Sequence, residues 1–181
     1  MENFQSYFEN NKNSWNKRTA VHKDSAFYDL ESFKKGVSTL NKIELEGIGE
    51  VKGKTLLHLQ CHFGMDTMSW ARRGATCTGV DFSDEAIKLA KEINDELNLN
   101  TNFICANIYD LIETFKVHPE GGFGEAGFDI VFTSYGTIGW LPDLDKWAET
   151  IAYFLKPGGI FFIADFHPNL WMMDDNFEKI K

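Results

Sequence analysis

No apolar run in this 181-residue chain approaches the roughly 20 residues that span a bilayer, which leaves no candidate for a membrane-spanning helix. The opening stretch MENFQSYFENNKNSW has neither the basic nor the apolar region of a signal peptide, so a cytoplasmic protein is expected. Cysteine is scarce. Cys61, Cys77 and Cys105 are an odd number without the spacing of a disulfide framework, and each lies in or beside an expected strand, so they read as reduced thiols. Positive charge is also short, with 18 Lys and Arg against 27 Asp and Glu for a formal net charge of −9. That balance, with no basic cluster to oppose it locally, repels a phosphate backbone and argues against nucleic acid as a partner. Internal repeats and low-complexity tracts are absent as well.

What remains has the composition of a globular domain, 43% hydrophobic and 25% charged, with a high aromatic share of 14% that fits either a ring-lined pocket or an aromatic core. The length suits one domain, which at this size removes roughly 70% of its unfolded surface from water. Residues 1–50 carry scattered rings at helical spacing and read as short amphipathic helices forming a cap. From Thr55 to Phe166, strand and helix patterns alternate. TLLHLQ is a strand apolar enough to be buried on both faces. Met65, Met68 and Ala71 then mark a short amphipathic helix ending at Gly74, in which Ser69 and Arg72 interrupt the apolar face. ATCTGVDF is a second strand, and Ser83 caps a helix that buries Ile87, Leu89, Ala90, Ile93 and Leu97. NFICA is a short third strand, followed by a helix around Tyr109 to Phe115 and a glycine-rich surface loop, VHPEGGFGEAG. FDIVFTSYG is a fourth strand, LDKWAETIAYFL a helix with KPGG as its terminating turn, and GIFFIADF a fifth strand. This rhythm predicts an α/β fold with a doubly wound, mainly parallel sheet, whose ligands bind beyond the carboxyl ends of the strands.

Glycine is missing where it would be most informative. In LLHLQCHFGMDT the chain leaves the first strand through a sharp bend, yet Gln60, His62 and Met65 occupy the positions that a dinucleotide fingerprint fills with glycine. Only Gly64 is left to take a positive φ freely. Bulky side chains obstruct a pyrophosphate, so the expected ligand has a nucleoside but no phosphate. Asp81, at the end of the second strand, can accept both hydroxyls of a ribose, its alternative role being a cap for the next helix. S-adenosylmethionine is such a ligand.

With these residues in view, the chain resembles the class I S-adenosylmethionine-dependent methyltransferases from about Thr55 to Phe166. The matching segments are LLHLQCHFG, GVDFS, ANI, FDIVFTSYG and LKPGGIFFIADF. The resemblance implies a Rossmann-like methyltransferase fold with S-adenosylmethionine as cofactor and a small-molecule acceptor. It assigns Gln60, Cys61, His62 and Gly64 to the turn around the methionine part and Asp81 to the ribose. Phe82 falls beside the adenine, Asn107 and Ile108 near its edge, and Ser134 at the end of strand four. The chain departs from the family at His58, where an acid is usual, and at Gln60 and His62, which replace two glycines. It also resembles a form lacking the last two strands, so the tail around Leu170 to Phe177 is expected to cover the strand-five edge or to mediate self-association. Domain boundaries follow as a cap at 1–50, a cofactor core at 55–166 and a tail at 167–181.

His58, Cys61 and His62 spell H-x-x-C-H, but a strand-to-turn geometry scatters those side chains and no metal is expected. No catalytic base is assigned. Tyr135, Asp165 and His167 are candidates by position, and Tyr135 with Trp140 could shape the acceptor site. Trp15, His22, Phe27 and Tyr28 resemble a lid over cofactor and substrate. The leading reading is methyl transfer to an unidentified small molecule. Its rivals are a non-catalytic binding or interaction module with the same fold, and an NAD-dependent oxidoreductase, which the blocked glycine positions weaken.

Overall fold

The computed structural model describes residues 4–117, 127–174 and 179–180. Five parallel strands pair in the order β3-β2-β1-β4-β5: β1 (Thr55–Leu59), β2 (Thr76–Asp81), β3 (Asn102–Cys105), β4 (Phe128–Ser134) and β5 (Leu155–Ala164). The strand order reverses beside β1, since β2 flanks it on one side and β4 on the other. In doubly wound sheets that reversal opens the crevice in which ligands bind.

Alternate residues of β1 explain why helices cover both faces. Leu57 and Leu59 pack with Leu111, Trp147 and Ile151 of α6 (Leu111–Val117) and α7 (Leu144–Phe154), while Leu56 packs with Trp70 of α4 (Met65–Arg72) and Ile48 of α3 (Lys42–Ile48). The helix α5 (Asp84–Glu96) joins α4 on that second side through Ile87, Ala90 and Ile93. Its cap is the expected one, because Ser83 Oγ accepts the Ala86 N–H at 3.1 Å. Leu97 lies just past its end and is only partly buried.

Three local expectations need correction. The first fifty residues are not all short helices: α1 (Gln5–Lys23) runs 19 residues, followed by the short α2 (Leu30–Lys34) and α3. The helix α4 is not amphipathic, because Thr67, Ser69 and Trp70 are buried along with its methionines. Ser69 tolerates this position by hydrogen bonding with the Thr39 hydroxyl and backbone N–H at 3.1 and 3.2 Å. Finally, KPGG does not simply end a helix. Leu155 already pairs with Phe128, and the next pair is Ile160 with Ile130, so Lys156 to Gly159 form an irregular bulge within β5. Lys156 Nζ is thereby placed 2.8 Å from Asp129 Oδ1, and that carboxylate also accepts the Thr55 N–H at 2.8 Å, tying β1, β4 and β5 together.

The loop VHPEGGFGEAG lies largely outside the described residues, as does part of the tail segment expected to cover β5. The described tail contains a short 3-10 turn, Pro168–Met172, and an antiparallel bridge between Met173 and Ile180. β5 is an outer strand of the described sheet, with Ile160 and Ile163 each 38% exposed.

Candidate functional site

One cavity of about 660 Å³ opens at the carboxyl ends of β1, β2 and β4, within the range of small-molecule and cofactor sites. All nine residues singled out from the sequence line it: Gln60, Cys61, His62, Gly64, Asp81, Phe82, Asn107, Ile108 and Ser134. They arrive from four separate strand ends.

The bend after β1 carries the geometry that glycine would make easy. Gln60, His62 and Gly64 have φ of 58°, 51° and 76°, so two non-glycine residues occupy the left-handed region. Each such residue costs roughly 1–2 kcal/mol, and specific contacts offset the cost. Gln60 Nε2 donates to Thr137 O at 3.2 Å, and the His62 N–H donates to Asp81 Oδ2 at 2.8 Å. The His62 ring packs among Phe63, Trp15 and Tyr28, with centroids 4.4, 5.3 and 5.6 Å away. The bulk at the bend therefore builds an aromatic wall.

The cap of α5 is Ser83, while Asp81 is tied to the backbone on both sides of it. Its Oδ1 accepts the Ser83 N–H at 2.9 Å, and its Oδ2 receives the His62 N–H. Loss of hydration nevertheless raises its pKa to about 6, those backbone bonds opposing the rise. Asn107 Oδ1 accepts the Tyr109 N–H at 3.1 Å, which sets the turn that brings buried Ile108 to the wall. Cys61 is buried, and burial pushes its thiol pKa well above the usual range, so it behaves as a small apolar group.

The H-x-x-C-H residues do not converge. His58 is 2% exposed, with Nδ1 2.8 Å from Thr67 Oγ1 and Nε2 3.4 Å from Ser134 Oγ, whereas His62 Nε2 lies 2.8 Å from His22 Nδ1. No group of three or more His, Cys, Asp or Glu side chains arranged to hold a metal occurs among the described residues.

Burial lowers the His58 pKa to about 3, and desolvation does the same to His62, which His22 reinforces. Both rings are neutral in the folded protein, while the unfolded chain takes up their protons below its ordinary value of 6.5. Their stabilising contribution is thus complete above pH 6.5 and is lost as pH falls from there toward 3. Asp81 has the opposite sign: its folded form holds a proton between pH 3.8 and about 6, so its contribution falls as pH rises through that window. The two histidines act in the same direction, so removing one of them should lessen the loss of stability on acidification. In His58→Asn, the difference in thermal midpoint between about pH 7.5 and about pH 5 should shrink by several degrees, as differential scanning fluorimetry would register.

Of the candidate bases, only Tyr135 lines the cavity, and its hydroxyl accepts from Asn41 Nδ2 at 3.0 Å. Desolvation and the nearby Glu44 raise its pKa to about 12. Asp165 instead organises the loop after β4, accepting N–H groups of Gly136, Thr137 and Ile138 at 2.6, 3.2 and 3.2 Å. His167 is an exposed residue whose Nδ1 accepts the Asn169 N–H at 3.2 Å. The helix α1 covers the mouth, with Trp15 in the wall and Asn16 bonded to Ser83 Oγ and Asp84 at 2.6 and 3.0 Å. Asp66, Thr39 and Asn41 also line the cavity but were not singled out from the sequence. Thr39 and Asn41 belong to a segment without a motif, and Asp66 looks there like an ordinary first-turn acid.

Polar atoms in the wall test whether a nucleoside ligand with an amino-acid end suits these residues. Gln60 Oε1 and His62 Nδ1 find no hydrogen-bond partner among the described residues, and Asp81 retains acceptor capacity beyond its two backbone bonds. A ligand rich in hydroxyl and amine groups fits that set. An open parallel sheet with a left-handed bend after β1 and a carboxylate ending β2 defines a nucleoside-binding class of α/β domain.

Comparison with known proteins narrows the class. Residues 57–161 match the family described as "Methyltransferase domain", and the chain belongs to that family. It is 30% identical over 155 residues to the ubiquinone biosynthesis O-methyltransferase of Escherichia fergusonii, covering 82% of this chain and 60% of that protein. Its counterpart in Coxiella burnetii (strain Dugway 5J108-111) is 29% identical over 138 residues, covering 75% and 54%. The chain thus spans between about half and three-fifths of these relatives' length. The PH0226 protein of Pyrococcus horikoshii OT3 shares the fold, with a TM-score of 0.62 at 20% identity over 81% of this chain and 57% of that one. No helix among the described residues is long and apolar enough to cross a membrane.

Proposed function

We propose that this chain binds S-adenosylmethionine in the cavity and transfers its methyl group to an oxygen of a small, partly aromatic acceptor. The observation that carries the reading is the convergence of the β1 bend, Asp81 and Ser134 on one cavity at the strand-order reversal. Relatives named O-methyltransferase support oxygen as the acceptor atom. The rings of Trp15, Tyr28 and Trp140 in the wall support an acceptor with apolar faces.

The cofactor, when bound, supplies a methyl carbon activated by a positive sulfur. The chain's residues hold and orient. Asp81 accepts ribose hydroxyls, Phe82, Asn107 and Ile108 flank the base, and the bend from Gln60 to Gly64 with Ser134 surrounds the amino-acid end. Orientation of this kind can supply much of a displacement's rate enhancement. Residues 1–50 act as the cap, 55–166 as the cofactor core and 167–181 as the tail. The net charge of −9 supports a small molecule over nucleic acid, and the opening residues without a signal-peptide pattern support a cytoplasmic setting. The exposed β5 edge supports self-association, for which sedimentation of the full chain is the check.

Titration calorimetry with S-adenosylhomocysteine and NAD, followed by incubation with methyl-labelled cofactor and a panel of phenols and catechols, tests the proposal. Saturable heat with the first ligand and label transfer to a phenolic oxygen are expected. Heat with NAD alone would overturn it, while tight binding without transfer to any acceptor would favour a binding module.

A further inference from the structure

Three carboxylates line the cavity, Asp29, Asp66 and Asp81, and the backbone holds two of them. Asp29 caps α2 by accepting the Ser32 N–H at 3.2 Å, and Asp81 receives the two backbone bonds of the bend. Asp66 is different. It lies in the first turn of α4 and is held by two hydroxyls, accepting from Thr39 Oγ1 at 2.6 Å and Ser134 Oγ at 2.9 Å. No Lys or Arg among the described residues pairs with it.

The two hydroxyls favour the charged carboxylate, but the rest of the surroundings disfavour it. Loss of hydration raises the Asp66 pKa, and Glu44 adds to the rise. Glu44 is itself fully buried, and its Oε2 has no partner among the described residues. His58, which touches the same Ser134 hydroxyl, is neutral and offers no compensating charge. A desolvated carboxylate without a cation is costly, and a cationic ligand group relieves that cost.

Topology determines which part of a ligand arrives there. Asp81 ends β2 and Ser134 ends β4, on opposite sides of β1. A ligand anchored by its ribose at Asp81 and crossing the end of β1 brings its far end to Ser134 and Asp66. We propose that Asp66, positioned by Thr39 and Ser134, is the counter-charge for the α-ammonium group of the cofactor's amino-acid end. The assignment rests on the cavity being an S-adenosylmethionine site, and its test separates the two.

Calorimetric titrations use three ligands: S-adenosylhomocysteine; 5′-methylthioadenosine, which lacks the amino-acid end; and the decarboxylated thioether, which keeps the amine alone. In Asp66→Asn the first and third should weaken by roughly 10- to 100-fold, the range of a hydrogen bond between charged groups, while methylthioadenosine is held within about twofold. Retained methylthioadenosine binding also shows that the variant is folded. In the unaltered protein, which needs no variant to fold, the amine-bearing thioether should bind roughly 10- to 100-fold tighter than methylthioadenosine. Equal affinities there, or an Asp66→Asn change that weakens all three ligands alike or none, would overturn the assignment. Failure of the unaltered protein to bind any of the three would instead remove the functional reading beneath it.

Discussion

Asp81→Ala should lower affinity for S-adenosylhomocysteine by roughly 100-fold or more in a calorimetric titration, the loss of two charge-assisted hydrogen bonds. A carboxylate offers about four lone-pair sites. The His62 and Ser83 N–H groups use two of them and the Phe82 N–H also interacts with the carboxylate, with the remaining capacity turned to ribose hydroxyls. Alanine removes both sets together, so the ribose loses its acceptors and the bend after β1 loses the bond that holds His62 at a φ of 51°. Each N–H left unpaired costs about 1–3 kcal/mol, partly offset because a desolvated carboxylate no longer has to be charged. Asp81→Asn keeps one acceptor oxygen and should fall between the two proteins. Undiminished affinity in Asp81→Ala would remove the ribose assignment altogether.

Gly64→Ala should be the most destabilising single methyl in the bend, with a loss of about 2–5 kcal/mol and a fall of roughly 5–15 °C in thermal midpoint. Two effects add. At a φ of 76°, alanine meets the steric cost of the left-handed region, and the new Cβ would stand 2.5 Å from Phe103 Cζ. Phe103 is buried in the cluster of α4 and α5, so its ring has little room to withdraw. Gln60 and His62 bear the same backbone sign, their cost offset by the bonds to Thr137 and Asp81. A Gly64→Ala midpoint within a degree or two of the unaltered protein would show that this packing is looser than the distances indicate.

The legibility of the site from sequence differs residue by residue. Gly64, Asp81 and Ser83 are readable because their roles are local: a bend needs a positive φ, a strand end meets a helix start, and a cap bonds a group three residues away. Asp165 and His167 are misleading for the same reason, since position after β5 says nothing of where their side chains turn. Asp165 spends its oxygens on the loop of residues 136–138, and His167 faces solvent. The KPGG segment carries turn chemistry, but its pairing with β4 makes it a bulge within a strand.

The sequence alone determined the alternation of helix and strand and the parallel α/β architecture, because periodicity and turn chemistry act over a few residues, while the nine cavity residues came from the motifs' resemblance to a known family. Only the tertiary structure decided that the expected lid docks through His22 on His62, 40 residues away, and that Thr39 and Ser134 meet on Asp66 from 27 and 68 residues away. Such contacts depend on how elements dock, and docking is set by packing that no short stretch of chain contains.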